Sequence, residues 1–265
     1  MMKNILVVDD SALMRKVLCD IINADGTFQV SDVCRDGLEA YEKLKKNTYD
    51  AVILDLNMPK MGGLELLQRL REEKIQATVI VVSTLTTAGA EVTILAMEYG
   101  AVDFVTKPTN VIEAKGDSFR TNLLRVLLAV TTKERFVPAE SFARAKAGQQ
   151  VKRISAGTSR IAKASGKVVA LACSTGGPKA LQSVIPFLPK NLDAAVVLVQ
   201  HMPVGFTKSM ADRLDVISPI HVKEAEDGEE LKTGTVYIAP GGKHLEVRRI
   251  SSGGHKISLN SKPAI

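Results

Sequence analysis

KVVALACSTGGPKAL, from Lys167 to Leu181, decides how the second half of the chain is read. The apolar run Val168 to Cys173 predicts a short buried strand. It stops at Ser174-Thr175-Gly176-Gly177-Pro178, where glycine permits a sharp turn and Pro178 suits the first turn of a helix. A serine at such a corner is displayed at the mouth of a sheet, near backbone N–H groups, as in a nucleophile elbow. Ala172 stands where the elbow pattern has its first glycine. The local sequence therefore leaves three readings open: a serine nucleophile, a plain glycine-rich turn, or an anion site at a helix N-terminus. It is not a Walker A loop, because no Gly-Lys-Ser/Thr follows, and it contains no GxGxxG.

A length of 265 residues fits one large or two ordinary domains, and 45% hydrophobic content is ample for their cores. No apolar run approaches the roughly 18 residues of a membrane span, and the N-terminus lacks the pattern of a signal peptide. Cys19, Cys34 and Cys173 are scattered and odd in number, which predicts a reduced, cytoplasmic protein without zinc or membrane insertion. Charge is unevenly placed. Up to Pro108 there are 12 basic and 16 acidic residues; beyond it there are 23 and 13. Between Lys133 and Lys167 lie 9 basic and 2 acidic residues with few aromatics. That composition predicts a solvated, mostly flexible linker over 135–165 rather than a nucleic-acid-binding surface.

In the first half, apolar runs alternate with helical patterns. Strands are predicted at Lys3 to Val8, Phe28 to Val33, Ala51 to Leu54, Thr78 to Val82 and Val102 to Val105. Ser11 is placed to cap a helix with Leu13, Met14, Val17, Leu18, Ile21 and Ile22 on one face. Further helices are expected over Gly37 to Lys46, up to Arg71, and over Ser118 to Lys133. The alternation implies an α/β fold with a doubly wound, parallel five-stranded sheet, whose site lies at the carboxyl ends of its strands. There stand Asp9, Asp10, Asp55, Ser83 and Lys107. Three converging carboxylates need a cation among them, and hard oxygen ligands suit Mg²⁺. A neighbouring ammonium and hydroxyl suit a phosphoryl group on one carboxylate.

The stretches ILVVDDSALMR, AVILDLNMPKMGGLELL, VIVVST and GAVDFVTKP resemble the receiver domain of two-component response regulators. The resemblance implies phosphorylation at Asp55. It implies Mg²⁺ held by Asp10, Asp55 and the Asn57 carbonyl with support from Asp9, and Lys107 paired with the phosphoryl group. Ser83 and Phe104 correspond to the switch pair. A cis Lys107–Pro108 bond is expected on the same ground.

In the second half, Ala194 to Val199 predicts a strand ending at Gln200-His201, Gly205 to Leu214 a helix, and Thr235 to Ala239 and Leu245 to Arg249 two more strands. Ser174 and His201 both fall at strand ends and meet if those strands are neighbours. A serine needs such a base to become nucleophilic. Cys173 is a rival nucleophile, but adjacent strand residues face opposite ways and the turn favours Ser174. His221, His244 and His255 are weaker candidates for the base.

With ACSTGGPKAL, VVLVQHMPVGFTKSMADRL and VYIAPGGKHL added, the chain resembles the chemotaxis response-regulator protein-glutamate methylesterases. That implies a receiver over 1–134, the linker over 135–165 and a partial, Rossmann-like methylesterase domain over 166–265. Ser174 is then the nucleophile and His201 its base, with no cofactor in the hydrolase. The implied partners are a chemotaxis histidine kinase as phosphodonor and methylated chemoreceptors as substrate, with glutamine deamidation as a related activity. In the family the triad's Asp lies in a later segment. None of Asp193, Asp212, Asp215 and Asp227 falls in a matching motif, so the chain is expected to be truncated and a poor esterase. A catalytically silent phosphate sink or binding module is the alternative. Two strand-end sites joined by a tether also lead us to expect that the unphosphorylated receiver restrains the hydrolase.

Overall fold

The computed structural model describes residues 2–108, 116–132, 166–251 and 253–261. The linker over 135–165 and the polar stretch Asn110 to Lys115 lie outside the described residues. The first sheet contains β1 (Lys3–Val8), β2 (Phe28–Cys34), β3 (Ala51–Asp55), β4 (Val79–Ser83) and β5 (Asp103–Thr106). All are parallel, in the order β2-β1-β3-β4-β5. The order reverses between β1 and β3, so the ends of those strands, carrying Asp9 and Asp55, flank the crevice where such sheets place ligands.

Period-two alternation assigns each strand residue a layer. Ile5 and Val7 face α1 (Ala12–Asn23) and α5 (Asp117–Thr131). Leu6 and Val8 face α2 (Gly37–Leu44), α3 (Gly63–Glu72) and α4 (Thr87–Glu98). Ser11 caps α1 by accepting from the Met14 amide, and Asp36 and Thr86 cap α2 and α4 in the same way. Leu13 departs from the expected apolar face: it is 55% exposed, because α1 turns only one narrow stripe to the sheet. The Lys107–Pro108 bond is trans; no cis peptide occurs among the described residues. The trans form is the lower-energy isomer of an X–Pro bond unless packing selects against it.

The second sheet contains β6 (Val168–Cys173), β7 (Ala195–Gln200), β8 (His221–Glu224) and β9 (Thr235–Ile238), parallel and in the order β6-β7-β9-β8. An antiparallel hairpin, β10 (His244–Ile250) with β11 (Gly254–Asn260), follows. Helix α6 (Gly177–Val184) leaves β6, and α7 (Phe206–Ile217) leaves β7. The expectation that β6 is buried fails. It is an edge strand with Val169 48% exposed, since only β7 pairs with it among the described residues. No helix among the described residues is long and apolar enough to cross a membrane.

One glycine fixes the approach of α3 to the first sheet. A Cβ at Gly63 would stand 2.2 Å from the Asp55 carbonyl and 2.9 Å from the Leu56 Cα, both backbone atoms that cannot swing aside. Gly63→Ala is expected to destabilise this domain by about 1–3 kcal/mol, as overpacking does. Urea unfolding of the variant against the parent measures it; an unchanged midpoint would show that α3 can move away at no cost.

Candidate functional site

At the carboxyl edge of the first sheet, β1 delivers Asp9 and Asp10, β3 delivers Asp55, and β5 is followed by Lys107. Asp9 and Asp55 are buried, and carboxylate oxygens of Asp9, Asp10 and Asp55 lie within 4.8 Å of one another. Lys107 Nζ stands 2.7 Å from Asp55 Oδ2 and 3.0 Å from Asp9 Oδ2. Asp9 Oδ1 accepts from the Ser11 amide at 2.9 Å, and Asp55 Oδ1 from the Asn57 amide at 3.3 Å. Arg15 ties the backbone down by donating to the carbonyls of Asp9 and Asp10 at 2.7 and 2.9 Å.

Burial pushes the Asp55 carboxyl above its usual range, against the opposing pull of Lys107. Burial by itself lowers Lys107, but the carboxylates of Asp55 and Asp9 outweigh it and hold the ammonium above its ordinary value. One ammonium leaves three carboxylates undercompensated. Asp9 Oδ2, despite its ion pair, is a buried oxygen without a well-directed hydrogen-bond donor. An all-oxygen, net negative pocket with a spare buried acceptor fits a divalent cation.

The two remaining residues of this set have other partners. Ser83 is buried and donates to the Gly89 carbonyl at 3.3 Å, across the start of α4. Phe104 faces away from the carboxylates and stacks on Phe206 of α7, with centroids 4.8 Å apart and planes 9° from parallel.

The second cluster is set by strand register. Cys173 pairs with Gln200, so Ser174 and His201 follow at adjacent strand ends, and the His201 amide donates to the Cys173 carbonyl at 3.3 Å. Gly176 adopts φ 74°, which turns the chain into α6. Ser174 and His201 are exposed and line one cavity of about 1230 Å³. Cys173 packs instead against the apolar core, and burial raises its thiol pKa. Beneath the His201 loop, Thr207 donates to Glu224 at 2.6 Å and accepts from the Gly241 amide at 3.0 Å. Gly242, rather than His244, reaches the cavity wall.

None of the four sequence candidates for an acidic partner joins His201. Asp193 pairs with Lys167, Asp212 with Lys208, Asp215 with His221 and the Val222 amide, and Asp227 accepts from the Leu259 amide. His221 is thereby paired outside the cavity as well.

The opposite wall of the cavity belongs to the first domain, a feature sequence reading did not place. Asp103 Oδ2 accepts from the Gly176 amide at 2.9 Å, one residue before α6. Arg125 of α5 donates to Thr175 Oγ1 at 2.7 Å. Beyond the rim, Arg213 of α7 forms a forked pair with Glu98 at 2.7 to 3.0 Å, and Gln182 and Lys179 of α6 donate to the carbonyls of Ile94 and Gly100. Asp103 lies in the motif GAVDFVTKP, and its position beside Phe104 at a strand end was the only signal available in the sequence.

A receiver-domain family profile, "Response regulator receiver domain", matches residues 5–115, and "CheB methylesterase" matches residues 169–265. The chain is 44% identical over 261 residues to a protein-glutamate methylesterase/protein-glutamine glutaminase of Pyrococcus abyssi, covering 98% of this chain and 68% of that protein. It is 45% identical over 244 residues to the protein of the same name in Thermotoga maritima, covering 92% and 68%. The solved CheB methylesterase catalytic domain of Thermotoga maritima is 54% identical over 38% of this chain and 53% of its own length, with a TM-score of 0.37. With both profiles matched in order, and relatives of this identity aligned along nearly its whole length, the chain belongs to the family of receiver-bearing CheB methylesterases.

Proposed function

We propose that this protein hydrolyses glutamate γ-methyl esters on chemoreceptors and that phosphorylation of Asp55 controls access to its nucleophile, Ser174. The reading is carried by one observation. The Cys173–Gln200 register seats Ser174 beside His201 on one wall of a cavity whose other wall is the phosphorylatable domain. Ser174 Oγ attacks the ester carbonyl while His201 takes its proton and delivers it to the departing methoxide; water then hydrolyses the acyl-enzyme. A glutamine side chain reaches the same acyl intermediate with loss of ammonia, which is deamidation.

Control follows from what β5 touches. The Gly176 N–H lies two residues beyond Ser174 at the start of α6, and Asp103 occupies it. Lys107 follows β5 directly and contacts Asp55. A phosphoryl group on Asp55 recruits that ammonium and alters the end of the strand. It opens the cavity only to the extent that it favours the parted arrangement over the closed one. We assign Mg²⁺ to Asp9, Asp10, Asp55 and the Asn57 carbonyl; when bound it supplies the counter-charge for phosphoryl transfer. A cytoplasmic chemotaxis histidine kinase is the phosphodonor under this reading, and the cytoplasmic helices of chemoreceptors are the substrate.

Three outcomes are expected. A small-molecule phosphodonor should label the parent only when Mg²⁺ is present and should not label Asp55→Asn; equal labelling of that variant would overturn the assignment. Asp103→Ala combined with Glu98→Ala should raise unstimulated methanol release from methylated receptor by about 5-fold or more, the lower end of ordinary coupling energies. An unchanged basal rate would remove the receiver from the control of access. Finally, no carboxylate pairs with His201 among the described residues, and lack of that partner costs on the order of 10⁴-fold in kcat in a serine protease. Asn at each of Asp193, Asp212, Asp215 and Asp227 should therefore leave the rate of this chain where it is, while Ser174→Ala abolishes it. Loss of activity in any one of the four Asn variants would identify it as the missing partner.

A further inference from the structure

Gln200 is the last residue of β7 and only 5% exposed. Its amide Nε2 donates to the Ser174 carbonyl at 3.0 Å and, more loosely, to the His201 carbonyl at 3.4 Å. The same Ser174 carbonyl accepts from the Gly177 amide at 2.8 Å, so its two lone pairs are both engaged. A carbonyl fixed from two directions fixes the peptide plane that follows it, and with it the Thr175 N–H and the entry into α6.

The orientation of the amide is not arbitrary. Both neighbours at its nitrogen end are acceptors, so only the NH₂ group can face them. Its oxygen is consequently left buried without a donor. An orphaned buried acceptor is costly. It lies against the start of α6, where exposed peptide dipoles offset part of that cost.

Space for it exists only because residue 177 is glycine. A Cβ there would stand 1.9 Å from Gln200 Oε1 and 2.8 Å from both its Cδ and the Cys173 Cβ. Gly177 is not among the residues of positive φ, so its lack of a side chain is explained by its neighbours, first the Gln200 amide and then the Cys173 Cβ.

We propose that Gln200 is a positioning residue: its buried amide clamps the nucleophile loop to the base loop, and Gly177 is the cavity that admits it. The inference rests on the assignment of Ser174 and His201 as nucleophile and base. The amide touches backbone only, so it acts on the placement of Ser174 Oγ and the His201 ring and not on the substrate.

The test measures methanol release from methylated receptor by the phosphorylated full chain, together with its thermal unfolding. Gln200→Leu should lower kcat by about 100-fold, the cost of misplacing reacting groups by roughly 1 Å, with KM unchanged. Gly177→Ala should reproduce that loss by displacing the amide. The double variant should lose less than the product of the two single losses, because both remove the same clamp. Gln200→Glu supplies a readout that a merely structural role would not move. The buried carboxylate faces two carbonyl oxygens and regains a donor only as the neutral acid, which burial favours. The rate of Gln200→Glu relative to the parent should therefore climb as pH falls.

Parental kcat in Gln200→Leu would overturn the proposal, as would additive losses in the double variant or a pH-independent Gln200→Glu ratio. Should Gln200→Leu or Gly177→Ala unfold early, the Gln200→Glu ratio alone decides. Full activity in Ser174→Ala would instead overturn the assignment of the nucleophile, an outcome separate from any behaviour of Gln200.

Discussion

A single ammonium, that of Lys107, lies between Asp55 and Asp9 at the edge of the first sheet, and the end of β5 is tied to β1 and β3 through it. Buried charges of one sign are tolerable only when compensated, so the carboxylates hold Lys107 as firmly as it holds them. The Lys107 amide also donates to the Ser83 carbonyl at 2.6 Å, which extends the β4–β5 ladder by one bond. Strand β5 is thus anchored at its carboxyl end by charge and along its length by register with β4. Its other residues face elsewhere: Val105 enters the core, Asp103 reaches Gly176, and Phe104 reaches Phe206. Strand β5 and Lys107 therefore link the carboxylate pocket to the mouth of the second domain.

The contact between the domains mixes apolar and polar chemistry. One aromatic stack and a shared apolar cluster are ringed by polar bonds to backbone and one forked ion pair. The C-terminal end of α4 gathers cations from three directions: Arg71 donates to the Glu98 carbonyl, Lys179 to the Gly100 carbonyl, and Arg213 pairs with the Glu98 side chain. That is the favourable end of a helix dipole for positive charge. Yet burial lowers the Lys179 ammonium below its ordinary value and pushes the Asp103 carboxyl above its own. For both groups burial works against the charged form.

Within the second domain, the loops after β6 and β7 are closely braced. Gln200 and Gly177 share one space behind Ser174. Thr207, Glu224 and the Gly241 amide brace the loop after His201 from below. A Cβ at Gly241 would stand 2.7 Å from the Met202 carbonyl, so the two strand-end loops are in backbone contact. The exposed faces of Ser174 and His201 are the parts of these loops left free to meet a substrate or the receiver.

The sequence by itself determined the elements and their polarity. Alternating apolar runs, a capping serine and glycine-proline punctuation located nearly all of the strands and the corners after them, and so placed Asp9, Asp10, Asp55, Lys107, Ser174 and His201 at carboxyl ends. It did not reveal that β6 is an edge with Val169 exposed or that Leu13 faces water, because an apolar residue in a run carries no label for the side on which a neighbour is missing. Strands β8 and β11 also went unseen; His221–Glu224 is short, and Gly254–Asn260 has only Ile257 and Leu259 as large apolar residues. Only the tertiary structure decided that β6 and β7 are neighbours, that Asp103 and Phe104 turn from their own sheet toward α6 and α7, and that Arg213 meets Glu98. Those pairs lie as far as 115 residues apart along the chain. Periodicity reports which face of an element is buried, whereas the partner that buries it is chosen by the shape and charge of distant surfaces, which no local pattern encodes.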